Sequence, residues 1–346
     1  MEMLWYFIVA VMVAVYVVLD GFDFGAGILS PFIAKTDEEK RQVIAAIGPF
    51  WDGNEVWLLA GGGALFFAFP KAYASGFSGF YLPLTMVLWL LMMRGLSIEF
   101  RSKEASPIWR SFWDGALFLS SSLMAIVLGA ALGNVVRGVP IGADGYFTGP
   151  LFTNFMPGTH PGVLDWYTVT IGLFAFAVLA LQGALYLRMR LEGEVEARAT
   201  AAAKKLWIVV LGLGLLATGA TMQVRPELLS AVFSRPIPIV LTVVFLAAFG
   251  AVKLWMRRAS NLPFLASSVF IATMLAATAF AAYPVMLHST LDPAYDITAQ
   301  NARTSDLSLN WGTVIWFTAI VLAAVYFIHL FRTFAGKVRP EDSYGH

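Results

Sequence analysis

The sequence predicts an all-α, polytopic membrane protein of nine transmembrane helices, on three observations. Of 346 residues, 59% are hydrophobic and 13% charged, with a mean hydropathy of +0.73, and that charged share is about half that of a soluble domain. Apolar runs of about 20 residues, the length that crosses a hydrocarbon core, recur along the whole chain. Lysine and arginine collect in alternate connections, as the positive-inside rule requires.

The runs place helices near 4–26, 51–69, 77–99, 113–136, 163–190, 205–224, 237–256, 263–287 and 311–334. No basic segment precedes the first run and no small-residue cleavage site follows it, which predicts a retained helix rather than a signal peptide. Trp5, Tyr6, Trp113, Trp166, Tyr167, Trp207, Trp255, Tyr283 and Trp311 fall at run ends, where amphipathic rings favour the headgroup level. Pro70, Pro107, Pro140, Pro157 and Pro161 fall in connections, where a missing N–H costs little.

One set of connections holds Lys35, Lys40 and Arg41; Arg101, Lys103 and Arg110; Arg188, Arg190, Arg198, Lys204 and Lys205; Lys253, Arg257 and Arg258; and Arg332, Lys337 and Arg339. The other set holds only Lys71, Arg137, Arg225, Arg235 and Arg303, and Arg94 alone lies within a span. Seventeen cations against five predict a periplasmic N-terminus and a cytoplasmic C-terminus.

The connections at 138–162 and 288–310 are rich in Gly, Pro, Asp and Thr and are expected to form ordered periplasmic caps. A faint repeat matches Leu19-Asp20-Gly21 with Leu181-Gln182-Gly183. It suits two four-helix bundles, over 1–137 and 163–287, related by an axis along the membrane normal, with a peripheral ninth helix and cytoplasmic tail over 311–346.

Composition excludes several functions. A net charge of +1 lacks the basic surface that nucleic acid requires. The absence of cysteine removes disulfides, thiolate nucleophiles and Cys-ligated iron–sulfur or haem groups. The four histidines, His160, His288, His329 and His346, are not spaced as ligands, which disfavours metal or haem ligation in this chain. No phosphate-cradling Gly-x-x-x-x-Gly-Lys-[Ser/Thr] loop is present.

The informative residues are ionisable groups inside the runs, where a charge near the bilayer centre costs about 2.5–3.5 kcal/mol on insertion scales. Asp20 and Asp23 share one helix face, as do Asp52 and Glu55. Arg94 and Glu99 lie toward the inner end of the third helix, and Asp114 lies where the fourth opens. Two carboxylates close together in low dielectric do not both ionise cheaply, which suits a proton relay, and Arg94 can hold one of them charged. The structural alternative makes the same acids interhelical hydrogen-bonders or helix caps, with Arg94 as counter-ion; Asp52, close to a helix start, suits a cap as well as a relay. Gly21 with Gly25, and Gly61-Gly62-Gly63, suit close helix packing. The residues alone leave two functions: a proton-relaying membrane scaffold, or a proton-coupled secondary transporter.

The segments Asp20-Gly21-Phe22-Asp23-Phe24-Gly25-Ala26-Gly27, Trp51-Asp52-Gly53-Asn54-Glu55-Val56-Trp57, Gly76-Phe77-Ser78-Gly79-Phe80-Tyr81 and Phe100-Arg101-Ser102-Lys103 resemble subunit II of cytochrome bd-type quinol oxidases. Gly133-Asn134, Gly138-Val139-Pro140 and Gln182-Gly183-Ala184 continue the resemblance in the same order. It implies a non-haem subunit, without catalytic residues or metal of its own, in a bacterial inner membrane. The implied partner is subunit I, which carries two b-type haems and one d-type haem and oxidises quinol. Membrane lipid, the quinol pool and small single-helix accessory subunits are the other implied contacts. Asp52 with Trp57, and Glu99 with Lys103, match positions on two proton-uptake routes, and Asp23 and Arg94 match positions regarded as functional. Some members hold a structural quinone in this subunit, but no motif here places one.

Overall fold

The computed structural model describes residues 1–258 and 260–338; Arg339 and His346 lie outside the described residues. It is built almost entirely of helices. Helices α1 (Glu2–Ile33), α2 (Asp37–Ile47), α3 (Trp51–Ala68), α4 (Pro70–Gly79), α5 (Tyr81–Phe100) and α6 (Pro107–Arg137) form the first half. After an irregular connection come α7 (Trp166–Arg190), α8 (Gly193–Val224), α9 (Pro226–Ser234), α10 (Pro236–Trp255) and α11 (Leu262–Ala282). Strand β1 (Val285–Leu287) pairs antiparallel with β2 (Ile297–Thr298), and α12 (Ala299–Ala302) and α13 (Asp306–Thr333) complete the chain.

Among the described residues, eight helices are long and apolar enough to cross a membrane: α1, α5, α6, α7, α8, α10, α11 and α13. The protein is therefore an all-α polytopic membrane protein. The expected run 51–69 does form a helix, α3, of 18 residues. It falls outside those eight because Asp52, Asn54 and Glu55 sit in its opening turns and lower its apolar content.

Several boundaries differ from the sequence expectation. Helix α1 does not end near residue 26 but continues for 32 residues through the Asp-Gly stretch and Pro31, about 48 Å at 1.5 Å per residue. Its segment from Asp20 to Ser30 is buried on every side, so neighbouring helices supply the polar partners that its acids need. Helix α6 starts at Pro107 rather than 113, because proline fits the first helical position. Helix α11 stops at Ala282, ahead of Pro284, and the apolar residues beyond it form β1 instead. Helix α2 was not expected; Thr36 and Glu39 cap it reciprocally, each side chain accepting from the other's backbone N–H at 3.2 Å.

Helix α1 is the hub and packs along α3, α6, α7 and α11. Further pairs join α5 to α6, α6 to α7, α7 to α8, and α10 to α11. The α1–α7 crossing depends on Gly25 and Gly183, since a Cβ on either would run into the backbone of the other helix. Of the second glycine cluster, Gly61 makes only loose contact with α1, and Gly62 and Gly63 have nothing within 4 Å of a Cβ position. That cluster does not mediate the close approach expected of it. Helix α13 leans on the first half through Phe331, stacked on Phe50 at 4.8 Å, and Phe327, 5.6 Å from Trp57.

The connections at 138–162 and 288–310 are tied together. Val139 N–H donates to His288 O at 2.9 Å, Thr290 N–H to Val139 O at 3.0 Å, and Ser289 Oγ to Ile141 O at 2.8 Å. Gly138, at φ +103°, makes the turn that brings these strands of chain together, and a side chain there would also meet His288.

The glycine crossing gives a direct expectation. Gly25→Leu and Gly183→Leu should abolish recovery of folded protein, because backbone rather than a movable side chain occupies the space, whereas core overpacking elsewhere costs about 1–3 kcal/mol. Gly62→Leu should be tolerated. Membrane-inserted yield and thermal stability of the purified protein check both.

Candidate functional site

The buried stretch of α1 meets α3 and α5 at an ion cluster. Arg94, on α5, is wholly buried. Its Nη1 donates to Asp20 Oδ1, and its Nη2 donates to Glu55 Oε2 at 2.9 Å. The guanidinium lies 4.4 Å over the ring of Phe24, which adds a cation–π contact. Asp20 and Glu55 thus come from two different helices onto one fork, the geometry for which arginine is suited and lysine is not.

Asp23, three residues on from Asp20 and on the same face, is held by a different group. Asn54 Nδ2 donates to Asp23 Oδ2 at 2.8 Å and reaches Leu19 O at 3.4 Å. The Tyr16 side chain lies beside Asp20, one turn earlier on α1. Tyr16 is within hydrogen-bonding reach of Asp20, and among the described residues Asp23 Oδ1, Asn54 Oδ1 and Arg94 Nε are buried without a protein partner. So much unspent hydrogen-bonding capacity in a membrane helix bundle suits ordered water.

The remaining expected residues fall around this core. Asp52 is exposed on α3, one turn from Glu55. Trp57 is half-buried against Phe327, and its indole N–H is buried without a partner among the described residues. Glu99 is half-buried near the end of α5, and Lys103 is exposed in the turn that follows.

Asp114 does not join Arg94. Because α6 begins six residues before the expected start at 113, Asp114 lies two turns inside the helix and faces the α5–α6 connection and α2. Arg101 Nε donates to Asp114 Oδ1 at 2.5 Å and Lys40 Nζ to Asp114 Oδ2 at 2.9 Å. Arg101 and Arg110 also donate to Asp37, at 2.8 and 3.0 Å. Burial alone would push the Asp37 carboxyl up, but the hydrogen bond and charge of Arg101, with Arg110 and Arg41, outweigh it and hold Asp37 below the usual carboxylate range. The ionisable groups therefore form two clusters, one within the helix core and one at its end.

Tyr16, Asn54, Asp37, Lys40 and Arg101 are site residues that pattern reasoning missed. Asn54 and Arg101 sat inside two of the diagnostic segments and were passed over in favour of their charged or aromatic neighbours. The motif residue Asn134 has structural work elsewhere: it accepts through Oδ1 from Arg137 at 2.6 Å, and Arg137 also donates to Asp165 and to Gly162 O at 3.1 Å, tying α6 to the start of α7. Gln182 Nε2 donates to Ser268 Oγ at 3.0 Å, joining α7 to α11.

A helical chain with eight helices able to cross a membrane, and with acids held by a buried arginine and an asparagine inside its helix core, belongs to the class of polytopic integral membrane proteins. The particular family follows from comparison: the family model of cytochrome bd terminal oxidase subunit II matches residues 1–334, and the chain belongs to that family. It is 30% identical over 376 residues to cytochrome bd-I ubiquinol oxidase subunit 2 of Escherichia coli K12, covering 99% of this chain and 96% of the relative. It is 31% identical over 343 residues to cytochrome bd ubiquinol oxidase subunit 2 of Bacillus subtilis, covering 97% of each. Its fold is similar to a chain of the bd oxidase from Geobacillus thermodenitrificans, with a TM-score of 0.75 at 17% identity over 96% of this chain and 98% of that one.

The protein is accordingly a multi-pass subunit of a bacterial inner-membrane respiratory oxidase, an oxidoreductase complex whose haems lie in the partner, subunit I. Family membership favours the oxidase over the transporter.

Removing Arg94 should be severe, because it strands two carboxylates. Breaking a buried ion pair by deleting one partner costs about 3–5 kcal/mol, so Arg94→Gln should lower the thermal stability and yield of the assembled complex. Arg94→Lys should recover only part of the loss, since an ammonium cannot span both acids as a fork.

Proposed function

We propose that this chain is the non-haem subunit II of a quinol:oxygen oxidoreductase, supporting subunit I and lining cytoplasmic proton-uptake routes for the reduction of oxygen to water. The observation that carries the reading is the placement of Asp52, Glu55, Arg94 and Asp20. An exposed carboxylate on α3 stands one turn from a half-buried one, which shares a guanidinium with a fully buried third. Groups in that order, from surface to core, can take up a proton at Asp52 and pass it along Glu55 and water toward Asp20 and Asp23. Trp57 shields the route from the α13 side. Glu99 and Lys103 form the second route, beginning at the end of α5.

The finer assignments follow the same reading. Helix α3 is the ninth span, completing a first bundle of α1, α3, α5 and α6 over 1–137; the second, over 163–287, is α7, α8, α10 and α11. Residues 138–162 and 288–310 cap the periplasmic side, and 311–346 hold the peripheral helix and cytoplasmic tail. Subunit I supplies two b-type haems and one d-type haem and takes electrons from quinol. A quinone held in this subunit and single-helix accessory subunits complete the assembly.

Two experiments test this. In the assembled complex, with the haem spectrum intact, Asp52→Asn should slow oxygen-linked proton uptake and turnover together by about tenfold or more, as expected when a positioned proton-transfer group is removed. Unchanged turnover would make Asp52 structural. For orientation, the absence of native cysteine allows single-site labelling: a membrane-impermeant thiol reagent applied to intact cells should modify Thr159→Cys and spare Glu104→Cys. The reverse pattern overturns the periplasmic N-terminus.

A further inference from the structure

The connection between α6 and α7 carries an apolar tip that the fold does not cover. From Gly145 to Leu164 it contains no Asp, Glu, Lys or Arg. Every residue from Phe152 to Met156 is exposed, and three of the five are large and apolar: Phe152 at 59%, Phe155 at 46% and Met156 at 56%.

The tip is braced rather than loose. Val163 N–H donates to Pro150 O at 2.9 Å, Leu164 N–H to Leu151 O at 3.0 Å and Gly162 N–H to Thr153 Oγ1 at 3.0 Å. Among the described residues, Phe155 alone of the non-glycines has a positive φ, +60°, a conformation that disfavours a bulky side chain. Glycine would adopt it without strain, and the exposed ring recovers little of the cost through burial in this chain. What the ring gains lies outside the chain.

The main chain sets the level of the tip. Trp166 N–H, at the first residue of α7, donates to Phe155 O at 3.2 Å, and α7 is one of the eight helices able to span a membrane. Phe155 therefore stands where the span begins. Leu173, two turns further along α7 on the face of Trp166, and Val135, near the end of α6, are exposed as well, so the apolar surface continues from the tip along the spans.

We propose that Phe152, Phe155 and Met156 insert into the bilayer at the boundary between headgroups and acyl chains, and so anchor the 138–162 connection to the membrane surface. Aromatic and aliphatic side chains favour that level, and a tip without charge enters it with no ion to dehydrate. A partner subunit fits less well: three partly exposed side chains offer well under the about 800 Å² a side that a stable interface buries, whereas fluid lipid needs no complementary surface. The anchor is independent of the proton route; only the choice of leaflet, the periplasmic one, rests on the orientation proposed above.

The test uses the two-subunit complex in phosphatidylcholine vesicles. The chain has no native cysteine, so a nitroxide is attached in turn to Phe152→Cys, Met156→Cys and, as a control in the same connection, Thr159→Cys. The signal of labelled wild-type complex is subtracted, and the haem spectrum checks folding. Oxygen, which concentrates among acyl chains, should relax the label on Phe152→Cys and Met156→Cys more than a water-soluble nickel chelate does, and the order should reverse on Thr159→Cys. Both tip substitutions change exposed side chains and leave Phe155 and the bracing bonds in place; if one does not assemble, the other decides. Chelate dominance at the tip puts it in water and overturns the anchor. Shielding of the tip from both relaxants puts it against protein and overturns the lipid.

Discussion

Arg94 sets the terms for the membrane core. A guanidinium that does not deprotonate lies wholly buried in an apolar helix bundle, and each such charge costs several kcal/mol to remove from water even after relaxation. Its presence obliges Asp20 and Glu55 to approach from α1 and α3, and their presence in turn obliges α5 to present Arg94 at that height. A slip by one residue along any of the three helices rotates a partner by about 100° and leaves a charge uncompensated. The cluster therefore fixes the mutual height of three helices more than it adds net stability, because a well-packed apolar substitute would escape the desolvation cost.

That fixed height makes the rest of α1 intelligible. A helix buried on every side over Asp20–Ser30 needs close neighbours, and the glycine contact with α7 lets two backbones approach where side chains would hold them apart. Acid and glycine alternate through this stretch because one helix must serve two kinds of contact. The carboxylates point to α3 and α5, and the glycine faces α7. The outer sides of α3, α5 and α13 remain apolar and exposed, as surfaces do that meet lipid or a partner subunit.

The spans were legible in the sequence because hydropathy depends on composition alone, and the acids were legible because a charge in an apolar run stands out. Their partners were not. Arg94 and Asp20 lie 74 positions apart, and no local pattern says which acid an arginine on another helix will choose. Local chemistry misled in both directions. Asp-Gly-Phe-Asp-Phe-Gly reads as the end of a helix, yet α1 continues, since tertiary partners satisfy groups that would otherwise break it. Thr36-x-x-Glu39 carries a capping signature, but it lies in a polar connection too short in apolar residues to read as a helix. The position of Asp114 turned on Pro107, which begins α6 early instead of closing the loop before it.

Asp52 is the exposed acid beside the buried cluster. In a soluble protein an exposed aspartate needs no explanation. Here it sits on α3 beside Val56 and Leu59, both exposed, and an ionised carboxylate facing hydrocarbon would be expelled or protonated. Its neighbours on the same helix, Asn54 and Glu55, have found partners on α1 and α5, so the helix is not simply placed at the wrong depth. What Asp52 requires is water or a polar group supplied from outside the chain. On the proposed reading that supply is cytoplasmic water, which brings protons to a carboxylate at the mouth of the buried ion cluster.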